Sequence, residues 1–216
     1  MPPTAYDLAR AEFLENAARI FAAEGWGVTT RELARRCHVS LTTINTAFTE
    51  HEGESQHETE YVPGKDGLIT AVVAWAVGRW HDELGPVVSR SAGEPAPDRV
   101  AAAFDRLAEA VAEDPAPFAL LVRALDLRMT HPEERDQQHP GKRAAIRHRA
   151  KAAKLLEDLM APPVAARLGQ TRREKVADEL ASLMLCAGYA GVAGRPQDAV
   201  TLRDAALLLM ADRLEG

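Results

Sequence analysis

A chain of 216 residues that is 46% hydrophobic and 27% charged can bury a real core in one or two domains, which excludes a disordered or collagen-like chain. Its net charge of −6, from 26 basic and 32 acidic residues, excludes a strongly basic nucleic-acid coat protein. A dimeric DNA-binding protein can still show a local basic surface on an acidic body. The longest near-apolar run, Gly67 to Gly78, is too short to span a bilayer, and Met1-Pro2-Pro3-Thr4 lacks the basic flank and apolar stretch of a secretory signal. No membrane partner is expected, and the cytoplasm is the expected location. Two cysteines, Cys37 and Cys186, exclude a disulfide scaffold, and each is expected to be a buried structural thiol.

Alanine, the best helix former, occurs 40 times, and no run of alternating β-branched residues interrupts the chain. An all-α fold of about nine helices is expected. Gly and Pro mark the breaks, at Gly25-Trp26-Gly27, Pro63-Gly64, Ser91 to Pro97, Asp114 to Pro117, His131 to Gly141, Ala161 to Pro163 and Gly194 to Pro196. The first helix should run near Asp7 to Ala23, burying Leu14, Ala17, Ala18 and Phe21 as one stripe. The second should begin where Thr29 and Glu32 have capping-box spacing. After His38-Val39-Ser40, Ser40 is a good N-cap for a short helix through Phe48. The two form a helix-turn-helix pattern, with Leu33, Ala34, Cys37, Val39, Ile44 and Phe48 as its small core. Leu41, Thr42, Asn45 and Thr46 then face outward, where short side chains can reach base edges and phosphates in a major groove.

The stretch 49–64 carries Glu50, Glu52, Glu54, Glu58 and Glu60 and no basic residue. Over residues 1–65, ten acids stand against six bases, which opposes phosphate binding unless this loop points away from the duplex. Arg31, Arg35 and Arg36 cluster on the helix before the turn and supply a local positive field. His51 and His57 fit no common helix-borne metal motif, so a solvated loop is expected rather than a metal site. The fourth helix should run from Lys65 to Asp82. A later helix, Pro117 to Met129, is apolar nearly all round and therefore central. Arg123 and Asp126 interrupt it, either as a mutual ion pair or as polar anchors in a ligand cavity. Trp75, Arg79, Phe118, Val122, Met129 and Met184 are further pocket candidates, although each aromatic could equally be core. The basic stretch Lys142 to Lys154 reads as the solvated face of a long helix. The last two helices, near Thr171 to Ala193 and Gln197 to Leu214, carry apolar faces that intrachain burial or a second copy could cover. No Walker loop, dinucleotide fingerprint, nucleophile elbow or zinc motif is present, so neither an enzyme nor a bound cofactor is expected.

Ala17 to Trp26, Val28 to Ala34, Val39-Ser40, Thr43-Ile44, Phe48 and Lys65 to Leu68 together resemble the tetracycline-repressor (TetR) family of bacterial transcription regulators, over roughly the first 75 residues. The resemblance implies a homodimer with a DNA-binding domain, here residues 1–64 with an acidic insertion at 49–64. It also implies a ligand-binding and dimerisation domain, here 65–216. It places Thr29 or Thr30 on a phosphate, Ser40 to Phe48 as the recognition helix with Leu41, Thr42, Thr43, Asn45 and Thr46, and Lys65 on a phosphate at the start of the fourth helix. Leu180, Met184, Ala187, Gly191, Leu207 and Met210 would build a four-helix interface between copies. The implied function is a ligand-responsive repressor that binds a palindromic double-stranded operator and is released by a small, largely apolar effector. Three departures favour an alternative, a helix-turn-helix derivative that has given up DNA for a small molecule or a protein. Asn45 stands where the family usually has an aromatic, Ala47 where it often has histidine, and the insertion has no counterpart.

Overall fold

The computed structural model describes residues 5–47, 64–90, 95–126 and 170–215. The fold is all-α, with eight helices among these residues. They are α1 (Ala5–Glu24), α2 (Thr30–Arg36), α3 (Leu41–Ala47), α4 (Lys65–Arg90), α5 (Ala96–Glu113), α6 (Ala116–Asp126), α7 (Gln170–Val192) and α8 (Pro196–Glu215). None of the described helices is long and apolar enough to cross a membrane.

Helix α1 buries Phe13, Ala17, Ala18, Ile20 and Phe21. The expected stripe is rotated by one residue at its start, because Phe13 enters the core and Leu14 is only partly buried against it. Gly25 ends the helix: its N–H donates to the Phe21 carbonyl at 2.9 Å with φ +83°, a left-handed turn that glycine adopts without cost. Helix α4 extends beyond its expected end at Asp82 and continues through Pro86 to Arg90. It reaches α3 near its N-terminus and packs on α1, α5 and α6 along its length.

The hub is α5, in the 96–113 stretch that motif reading passed over. Val100, Ala103, Phe104, Leu107, Ala110 and Val111 recur at helical spacing and are all buried. They meet α4, α7 and α8. Arg99 on the same helix is buried as well, at 2% exposure, and has a partner. A buried cation requires one. Helix α6 buries Phe118, Leu120, Leu121 and Ala124 against α1, α4 and α7.

Helices α7 and α8 pack on each other and on α5. Here the structure corrects the assignment of faces. Leu180, Met184, Ala187 and Met210 are all buried within the single chain. Gly191 lies against α5 so closely that a Cβ there would meet Val111 Cγ1 at 2.9 Å. Leu207 is partly buried against the core. Leu180, Met184, Ala187 and Met210, expected to join two copies, are therefore taken up by intrachain packing, while Gly191 and Leu207 keep part of their surface exposed. An apolar period reveals a buried face but not what buries it. Among the described residues, the large exposed apolar side chains of this helix pair are Tyr189, Val200 and Leu208, the last at 72%. Cys186 is exposed and Cys37 half-buried, so neither is the fully buried thiol expected. Burial raises the Cys37 thiol pKa, which makes it a poor nucleophile, while the nearby Arg36 acts in the opposite direction.

Candidate nucleic-acid interface

The α2–α3 pair is built from local bonds that the sequence encodes. Thr29 is the N-cap of α2, and its Oγ1 accepts from the Glu32 N–H at 3.2 Å. The reciprocal half of the expected capping box does not form, because both Glu32 carboxylate oxygens accept from Arg35, at 3.1 and 2.6 Å. That bond to Arg35 lowers the Glu32 pKa. Helix α2 closes with the Cys37 N–H on the Leu33 carbonyl and the Val39 N–H on the Ala34 carbonyl. His38 between them sits at φ +55°. This is a Schellman closure with histidine at the left-handed position that glycine usually takes. Ser40 then caps α3 as expected, its Oγ accepting from the Thr43 N–H at 2.9 Å. The two hydroxyls of Ser40 and Thr43 also share a hydrogen bond at 2.7 Å.

With its N-terminus capped, α3 turns Ile44 fully into the core. Around it, Leu41, Thr42, Thr43 and Asn45 are all exposed. Leu41 is 42% exposed, unusual for a leucine one turn from a core residue, so this face is not used for packing within the described chain. The Asn45 amide lies beside the N-terminus of α4, with its oxygen 3.7 Å from where a Gly64 Cβ would be. The side chain of Thr46 lies outside the described residues, as do Phe48, the acidic stretch 49–63 with His51 and His57, the helix end at Met129 and the basic stretch Lys142 to Lys154.

Charge is distributed less simply than the arginine cluster suggested. From Glu24 to Ala47 there are three bases and two acids, a net of +1. Arg35 is paired with Glu32, and Arg36 with Glu24 on α1. Arg31 is exposed and Lys65 half-buried, and among the described residues neither pairs with a carboxylate. Thr30 is half-buried beside Arg31. The cations left over for an anion are thus Arg31 and Lys65, one at the start of α2 and one at the start of α4.

The ligand candidates do not converge on one described cavity. Arg79, exposed and 3.8 Å from Glu83, and buried Phe118 line a cleft with Glu83, Ala110, Glu113, Asp114 and Pro117. Its volume is about 50 Å³. That holds a water molecule, whereas effector pockets run to about 300 Å³ and above. Trp75 and Val122 are half-buried and Met184 is buried, none of them in that cleft. Arg123 takes a partner that neither sequence reading named. Its Nε donates to the Ala22 carbonyl at 3.0 Å and its Nη2 to the Ala23 carbonyl at 3.3 Å, both at the end of α1. Asp126 ends α6, and its side chain lies outside the described residues.

Compared with known proteins, the chain matches no protein-family model and no curated relative.

Proposed function

We propose that the chain is a ligand-responsive, homodimeric DNA-binding regulator of the tetracycline-repressor type, acting as a repressor. One observation carries the reading: among its described side chains α3 buries only Ile44, and it leaves Leu41, Thr42, Thr43 and Asn45 exposed on a helix capped by Ser40. A short helix with four of its five described side chains exposed has an outer side available to something else. The residue types suit a major groove, with an apolar contact for a thymine methyl and an amide for adenine. Arg31 and Lys65, neither paired with a carboxylate among the described residues, would lie on phosphates and set the register. Tyr189, Val200 and Leu208 give a second copy an apolar surface to cover. Helix α4, which touches α3 and also packs on α5 and α6, supports a route by which an effector in the body would displace the reader. Such an effector must bind the DNA-incompetent state better.

The test is binding to the DNA upstream of the chain's own gene across a salt series. The affinity is expected to fall steeply with salt, and Arg31→Ala should make the log–log slope shallower by about 2 for a dimer. Absent or salt-independent binding contradicts the reading.

A second reading, a derivative that has exchanged DNA for another partner, is favoured by the pairing of Arg35 and Arg36 with Glu32 and Glu24, which leaves little free positive charge. Deleting Glu50 to Glu60 separates the two. DNA binding survives or improves under the first reading, and partner binding disappears under the second.

A further inference from the structure

The last carbonyls of an α-helix have no partner within the helix. At the end of α1, Phe21 O is taken by Gly25, while Ala22 O and Ala23 O are taken by one guanidinium that arrives from α6, 101 and 100 residues away. A flat cationic fork suits this place, because it serves two acceptors at once and faces the negative end of the helix dipole. Gly25 makes room for it: a Cβ there would lie 3.2 Å from Arg123 Nη1. The other end of α6 is tied to α1 as well. Asp114 caps the Ala116 N–H at 3.2 Å and accepts from Arg19 of α1 at 3.1 Å. Beyond the α1 terminus the contacts continue into α2. Glu24 pairs with Arg36, and the Phe21 and Trp26 rings sit 5.2 Å apart across the turn.

We propose that Arg123 is a positioning residue: by capping α1 from α6, it makes the placement of the α2–α3 pair depend on where α6 sits. The functional half of this inference rests on the DNA-binding reading above; the mechanical half does not. A displacement of α6 withdraws the fork from Ala22 and Ala23, frees the end of α1 and loosens the α2–α3 pair that follows it.

Hydrogen exchange on the full chain tests the mechanical half directly. Arg123→Ala should raise exchange across residues 24–40 by roughly 2- to 10-fold while α5 and α7 keep their wild-type protection. Arg123→Lys, which keeps the charge and loses the fork, should fall between the two. Affinity for the upstream DNA should drop in the same order. Unchanged exchange over 24–40 in Arg123→Ala overturns the proposal, and so does a rise shared equally by α5 and α7, which marks general loosening. If the wild-type chain binds no DNA yet the local exchange pattern appears, the clamp stands and it is the DNA-binding reading that fails.

Discussion

Helices α3 and α5 allocate their residues in opposite ways. In α5, Val100, Ala103, Phe104, Leu107, Ala110 and Val111 all face inward to three other helices. In α3, Ile44 faces inward and four neighbours face out. A helix such as α5 is held by burial, at about 1.5–3 kcal/mol for each large side chain. One as short as α3 is not stable alone and is held by its cap and by the turn before it. The first kind of helix is where substitutions unfold the protein. The second is where they can abolish a contact and leave the fold intact.

Four substitutions sharpen that contrast, in falling order of effect. Leu107→Ala, at the centre of α5, should destabilise the chain by about 2–5 kcal/mol in denaturant unfolding, since it empties a fully packed site. Gly191→Ala should cost about 1–3 kcal/mol, because the new Cβ meets Val111 on α5 at 2.9 Å. A cost near zero there would mean α5 and α7 can separate and that α5 is less tightly held than claimed. His38→Gly should stabilise by about 0.5–1 kcal/mol, raising the melting temperature, because it relieves a left-handed non-glycine. The molecule itself offers the comparison: α7 ends with the same pair of features, an Arg195 N–H on the Ala190 carbonyl and a left-handed residue, but there the residue is Gly194.

The smallest effect is electrostatic. Arg35 holds Glu32 below its ordinary value of 4.5, so the pair contributes stability above that value and loses it as pH falls through the lowered one. Glu32→Gln should therefore be slightly less stable than wild type near neutral pH and equal to it in strong acid. The same change frees Arg35 and should strengthen binding to DNA. A weaker complex would count against phosphate contact from α2.

Much of this was legible in the sequence because it is local. Thr29 and Ser40 cap helices, Gly25 and Gly194 end them, and Ile44 points inward, each through bonds spanning a few residues. The misreadings concern what lies across from a residue. The apolar stripe of α7 was visible, yet whether α5 or a second chain covers Leu180 and Met184 depends on tertiary packing. Arg123 could be seen to interrupt an apolar helix, but backbone carbonyls are not encoded by residue type, so no pattern could indicate Ala22 and Ala23. Helix α5 falls between two expected breaks, at Ser91 to Pro97 and Asp114 to Pro117, but its central place was not foreseen because it carries no motif.

The most direct test of the central claim compares stability with affinity in one variant. Leu41→Ala/Asn45→Ala changes two exposed side chains of α3 and touches no buried one. Its unfolding free energy should stay within about 0.5 kcal/mol of wild type for each site, while its affinity for the upstream operator falls at least about tenfold. Wild-type affinity in that variant, or a loss of affinity matched by a loss of stability, would contradict the assignment of α3 as the surface that reads DNA.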